Sequence, residues 1–161
     1  MFFSCAVYVV TIAFAPEHPQ QMSPGMTHEE HMKQLEERGA AAMGFDQGAT
    51  RHTFTSTSDG GSIAVDVKDA GDVTTRDQIR AHLREIAAAF AKGDFAKPSQ
   101  THAELPPGVP VMTEKKTTIT YGYSDTPTGG IVRIRTDDSQ ALQAIHAFLE
   151  YQTREHNPAS K

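Results

Sequence analysis

The chain has 161 residues, 38% of them hydrophobic and 22% charged, with a formal net charge of −5 and a pI near 5.9. These are the proportions of one globular domain with a modest core. Lys and Arg are scattered rather than gathered into a stripe, which excludes the electrostatic footprint of a nucleic-acid binder, and no nucleic-acid partner is expected.

Residues 1–15, MFFSCAVYVVTIAFA, are apolar and uncharged and close on Ala13-Phe14-Ala15, the small-x-small pattern of a cleaved export signal. The mature protein is expected to start near Pro16 and to be periplasmic or secreted. A helix needs about 20 apolar residues to cross a bilayer, so no stable membrane span is expected after cleavage. Cys5, the single cysteine, falls inside the signal, which leaves the mature chain without disulfides, thiolate ligands or a cysteine nucleophile.

Residues 16–26 carry three prolines and no apolar period and read as a lead-in. One α+β domain is expected over 27–161. Thr27 and Glu30 form a capping-box pattern, which predicts a helix from His28 to about Arg38 or Met43.

Two similar halves follow, at about 50–96 and 113–156. RHTFTSTS (51–58), the turn Asp59-Gly60-Gly61 and SIAVDVK (62–68) predict a hairpin, followed by a helix from Arg76 to Lys92 that stops at Gly93. TTITYGY (117–123), a longer turn ending in Gly129-Gly130, IVRIRT (131–136) and a helix from about Ser139 to His156 repeat the pattern. Ile63, Val65 and Val67 share one strand face, as do Ile119, Tyr121 and Tyr123, while Val132 and Ile134 alternate with Arg133 and Arg135. The helices carry the stripes Ile79, Leu83, Ile86, Phe90 and Leu142, Ile145, Leu149, and Thr75 with Gln78 and Asp138 or Ser139 are candidate caps. The expected fold is a four-stranded antiparallel sheet with both helices on one face, preceded by the short N-terminal helix. The proline-rich joint 97–115 reads as a stiff surface loop, and both glycine pairs read as sources of the positive φ that hairpins need.

Eight histidines carry the chemical interest. His28 and His31, three apart on a helix with Met32 beside them, converge on one face, and imidazole with thioether is a copper-type donor set. Within the repeats, His82 and His146 border the apolar stripes at nearly equivalent places, His52 shares a strand face with Phe54, and His102 precedes Glu104 in the connector. Sequence spacing singles out no catalytic pair and contains no G-x-S-x-G elbow, phosphate loop, dinucleotide fingerprint or H-E-x-x-H helix. Arg76, Arg80 and Arg84 read as a solvated face.

The stretches AAMGFDQ (41–47), RDQIRAHLREIAAAF (76–90), HAELPPGVP (102–110) and ALQAIHAFLEYQTREH (141–156), together with the export signal, resemble a family of small exported bacterial proteins to which no established activity is attached. The resemblance spans nearly the whole mature chain and implies a bacterial, exported origin. From the residues themselves, the leading expectation is transition-metal binding, copper favoured and zinc the alternative, for sequestration, delivery or redox chemistry. A histidine-lined cleft for a small molecule, used by a non-metal enzyme or a binding protein, is the second. A structural or interaction module, for which the pseudo-symmetry leaves a homodimer open, is the third.

Overall fold

The computed structural model describes residues 27–156. The expected export signal, the lead-in and Met26 lie outside them. Helix α1 (His28–Met43) opens on the expected capping box: Thr27 Oγ1 accepts from the Glu30 amide, and the Glu30 carboxylate accepts from the Thr27 amide at 2.8 Å. It ends at Gly44, whose φ of 79° is the left-handed conformation that a helix C-terminus favours glycine for.

Strands β1 (Thr50–Thr57) and β2 (Gly60–Val67) form the first hairpin, and β3 (Ile119–Thr126) and β4 (Gly129–Thr136) the second. All neighbours pair antiparallel in the order β1-β2-β4-β3. The two glycine-led strands are therefore central and the two histidine- and tyrosine-bearing strands are edges. Helices α2 (Val73–Ala91) and α5 (Ser139–His156) cover one face. The fold expected from periodicity is the one observed, with differences in detail. Helix α2 starts at Val73, three residues before Arg76, because Asp72 rather than Thr75 caps it, its carboxylate accepting from the Thr75 amide at 3.0 Å. The apolar stripe of α5 is wider than Leu142, Ile145 and Leu149: Leu142 is only half-buried, and Ala141, Phe148 and Tyr151 join the core.

The proline-rich joint is not a plain loop. It forms α3 (Ala96–His102) and α4 (Val109–Glu114). Pro98 in the first turn of α3 and Pro110 in that of α4 stand where the missing N–H has no helical partner to lose, so prolines that argued against helix in fact start two.

The glycine pairs do a different job from the one expected. Only Gly60 of the four has positive φ, at 147°. A Cβ on Gly60 would sit 2.0 Å from the Ile134 carbonyl oxygen of β4, and one on Gly129 would sit 1.9 Å from the Val65 carbonyl oxygen of β2. The first glycine of each pair thus lets the two central strands approach. The second makes room for side chains from a helix and a strand: a Cβ on Gly61 would meet Leu149 of α5 at 2.3 Å and the Thr55 carbonyl oxygen at 2.5 Å, and one on Gly130 would meet Tyr123 of β3 at 2.9 Å and Leu83 of α2 at 3.2 Å. Each helix therefore packs chiefly on the strands of the other half, α5 on β1 and β2 and α2 on β3 and β4.

This crossed packing identifies equivalent residues. Leu83 and Leu149 are mates, and so are Arg80 and His146, one helical turn earlier in each helix. His146 Nε2 donates to the carbonyl oxygens of Thr57 and Gly60 at 2.9 and 3.1 Å. Arg80 donates to Thr126 and Gly129, the corresponding residues of the second hairpin, at 2.6 and 3.0 Å. Both side chains close a hairpin end by satisfying carbonyls the sheet leaves open. Arg80→Ala and His146→Ala are each expected to cost about 1–3 kcal/mol, the net worth of the two hydrogen bonds each side chain makes. Arg84→Ala, which removes an exposed pair with Asp125, is expected to cost less than about 1 kcal/mol. Chemical denaturation of the three variants checks the order.

Candidate functional site

Inward-facing strand residues and the helical stripes fill most of the space between sheet and helices with aliphatic and aromatic carbon. At one end the filling changes character. A cavity of about 70 Å³ opens there, with Ile63, Val65, Leu83, Ile86, Phe90 and Phe148 as its apolar floor. Four histidines line it: His52 from β1, His82 from α2, His102 from the end of α3 and His156 from the last turn of α5. Met43 of α1 and Lys97, Pro98 and Thr101 of α3 close the outer side. Arg38 Nε donates to the Thr101 carbonyl at 3.0 Å, fastening α1 to α3 over the cavity.

His156 is the hub. Its ring centroid lies 5.1 Å from that of His52 and 5.3 Å from that of His102, and 5.5 Å from Phe54. His82 packs edge-on against Phe45 at 5.6 Å. Burial in apolar surroundings disfavours the charged imidazolium and holds all four neutral. It lowers His52 to about 4, with the Lys68 charge adding to the effect, and His82 to about 4, with Lys97 adding and Glu85 opposing. His156 falls to about 3 through burial and then its two histidine neighbours. His102 is lowered by burial against the opposing pull of its bond to Gln152 and of Glu155 and Glu104.

The hydrogen-bond inventory is incomplete inside this cavity. His102 Nε2 lies 3.0 Å from Gln152 Oε1. An amide oxygen only accepts, so Nε2 carries the hydrogen and Nδ1 the lone pair. His102 Nδ1, Gln152 Nε2, His52 Nε2 and His82 Nδ1 are all buried without a partner. An unmade bond at a buried polar atom costs about 1–3 kcal/mol, so four around one cavity are a sizeable concession for the fold to retain. Lys97, by contrast, is satisfied by Glu85 at 2.7 Å, and the Tyr151 hydroxyl donates to Glu104 at 2.6 Å.

The pseudo-symmetry shows what has been exchanged. The mate of His52 is Tyr121, that of His82 is Phe148, that of Gln152 is Ile86 and that of His156 is Phe90. The mate positions build an aromatic cluster, with Phe90 against Tyr121 at 5.8 Å, Phe148 at 5.9 Å and Phe95 at 4.2 Å. His52 and His82 of the first half and Gln152 and His156 of the second thus have as mates Tyr121, Phe148, Ile86 and Phe90, the last three of which also line the cavity.

Of the expected site residues, His52, His82 and His102 line one cavity. His102 belongs to a helix rather than a loop and is 7% exposed. His146 does not join them: its ring is taken up by the Thr57 and Gly60 carbonyls, and its mate is Arg80, two residues before His82. Arg80 keeps the ion pairing expected of its face, with Asp77 and Asp125 each at 3.7 Å, but is only partly exposed because it also closes the second hairpin. His28, His31 and Met32 fall within α1, but their side chains lie outside the described residues. His156 was missed, although Ile145, Leu149, Gln152 and His156 continue one helical stripe at i+4, i+3 and i+4. Among the described residues, no three His, Cys, Asp or Glu side chains are grouped so as to hold a metal ion together, and no helix is long and apolar enough to cross a membrane. Comparison with protein-family models, with curated proteins and with solved structures finds no match.

Proposed function

We propose that the chain is a small-ligand-binding protein whose ligand enters the histidine-lined cavity between β1, α2, α3 and α5. The observation that carries this reading is the retention of four unpartnered buried polar atoms on side chains that line one largely apolar cavity. A convergent set of polar groups in an apolar concavity is the usual design of a small-molecule site. Because all four imidazoles are neutral at pH 7, the cavity suits an uncharged molecule. Its place of action is proposed to be outside the cytoplasm, on the strength of residues 1–15 alone.

A second reading keeps a metal ion. Imidazole nitrogens free of protons are ready ligands for zinc or copper, and His52 Nε2, His82 Nδ1 and His102 Nδ1 are unpartnered. This reading needs the side chains to regroup, since zinc–nitrogen bonds are about 2.0–2.1 Å long. One set of variants separates the two. Small neutral organic molecules are expected to shift the amide resonances of residues around the cavity, and the double replacement His52→Tyr and His82→Phe, which copies the second half, is expected to abolish the shifts. Shifts that persist with the cavity filled would sink the ligand reading, and micromolar zinc or copper binding lost in the same double variant would install the metal reading in its place.

A further inference from the structure

Three of the four cavity histidines stand in the body of the fold. His52 belongs to the sheet, His82 to the middle of α2, and His102 is tied to Gln152. His156 differs, because it is the terminal residue of α5. It lines the cavity and is also partly exposed, so its ring stands between the cavity and solvent. Three rings hold it there: His52, stacked at 5.1 Å, Phe54, tilted at 5.5 Å, and His102, edge-on at 5.3 Å. Two of those three are themselves imidazoles.

We propose that His156 is an acid-operated gate of the cavity, its neutral ring lying in against His52 and Phe54 and its protonated ring swinging out to solvent, which lets the ligand go. The release rests on the ligand reading of the cavity. With the ring in, a proton on it would sit against two imidazoles and aromatic carbon, where a charge is costly. With the ring out, the charge meets water at the C-terminal end of α5, where a helix favours a cation. The swing needs only side-chain rotation at a helix end, and it takes away the ring stacked on His52, so a second proton can follow.

The surrounding charges leave this balance standing. Lys68 bears on His52, Arg38, Glu104 and Glu155 on His102, and Lys97 and Glu85 on His82. On α5 itself, Arg154 lies over the Tyr151 ring and the Tyr151 hydroxyl is held by Glu104. After burial, what resists a proton on His156 is His52 and then His102. The inward ring stays neutral until about pH 3, whereas a free imidazole takes its proton near 6.5. Between pH 7 and pH 5 the ratio of outward to inward ring is therefore expected to rise about twentyfold, and by about the same factor again when His52 follows.

Xenon, uncharged at every pH, is the probe for the test. It is titrated into the full chain at pH 7, 6 and 5 and followed by the methyl resonances of the lining residues, alongside magnetisation transfer between the His156 and Phe54 rings. Xenon is expected to bind at pH 7 and to leave together with the His156–Phe54 contact as the pH falls, while the amides of β2 and β4 stay protected from hydrogen exchange. His156→Phe and His156→Leu cannot charge, so each should bind xenon with an affinity independent of pH, and agreement between them guards against one variant failing to fold. Loss of xenon at pH 5 in both variants overturns the gate. So does a parent His156–Phe54 contact that persists at pH 5, or one that disappears only when the strand amides lose protection. Either result, with xenon bound at pH 7, leaves the ligand reading intact. Xenon bound at no pH overturns the ligand reading and the release with it.

Discussion

Gly129→Ala is expected to remove about 3 kcal/mol or more of stability, a large share of the roughly 5–15 kcal/mol available to a domain of this size. The new methyl carbon would lie 1.9 Å from the Val65 carbonyl oxygen and 2.9 Å from its carbon. Both are backbone atoms in the central β2–β4 pair, so no side chain can swing aside to make room. Relief has to come from parting the strands where Gly129 faces Asp66, which strains the pairing on which both hairpins depend. Gly60→Ala meets the Ile134 carbonyl oxygen at 2.0 Å and adds the strain of φ 147°, so it is expected to be at least as damaging. Gly122→Ala is the contrast. Nothing lies within 4 Å of its Cβ position, and alanine in place of a strand glycine is expected to stabilise by about 0.5–1 kcal/mol. Urea denaturation of the three variants reads the result, and a Gly129→Ala protein as stable as the parent would mean that the strands are not this close.

Acidification from pH 7 to pH 5 is expected to cost about 3 kcal/mol or more. Unfolded histidines take up a proton as the pH falls through about 6.5. In the folded chain His52 and His82 resist until about 4 and His156 until about 3. Between those limits the unfolded state binds more protons, so stability is complete above about pH 7 and falls with pH, by up to about 1.4 kcal/mol per pH unit for each such group. The expectation is kept well below the sum of three because the groups interact with one another and with Lys68, Lys97 and Glu85. His52→Tyr with His82→Phe removes two of the titrating groups and should flatten the slope. Denaturation midpoints at pH 7, 6 and 5 test this, and a slope unchanged by the double variant would show that these residues do not carry it.

The sheet and its two covering helices were legible because their signals are local and periodic. Val65, Val67, Val132 and Ile134 alternate, and Ile79, Leu83, Ile86 and Phe90 recur at helical spacing, so burial followed directly. Helices α3 and α4 were not legible because proline is read as a breaker, whereas Pro98 and Pro110 occupy first turns. The site was legible only in part. His52, His82 and His102 could be nominated by face, but counting along each helix from its first apolar residue paired His82 with His146. The true register is set by which leucine meets which glycine, Leu83 on Gly130 and Leu149 on Gly61, and that is a tertiary fact. Arg80 and His146, unlike in charge and shape, do one task at equivalent places, so identity of residue type misled where equivalence of contact would not have.

The crossing of helices between halves carries a consequence for how such a fold can change. In a solenoid each unit meets only its neighbours, and units can be added or removed at the ends. Here Leu83 of the first half packs on Gly130 of the second, and Leu149 of the second on Gly61 of the first. The pair is closed, like two clasped hands, and neither partner keeps a core when the other is withdrawn. Both halves contribute imidazoles to the cavity and rings to the aromatic cluster, so a change of packing in either half is felt at both. The aromatic cluster around Phe90 is in that sense the counterweight to the imidazoles around His156.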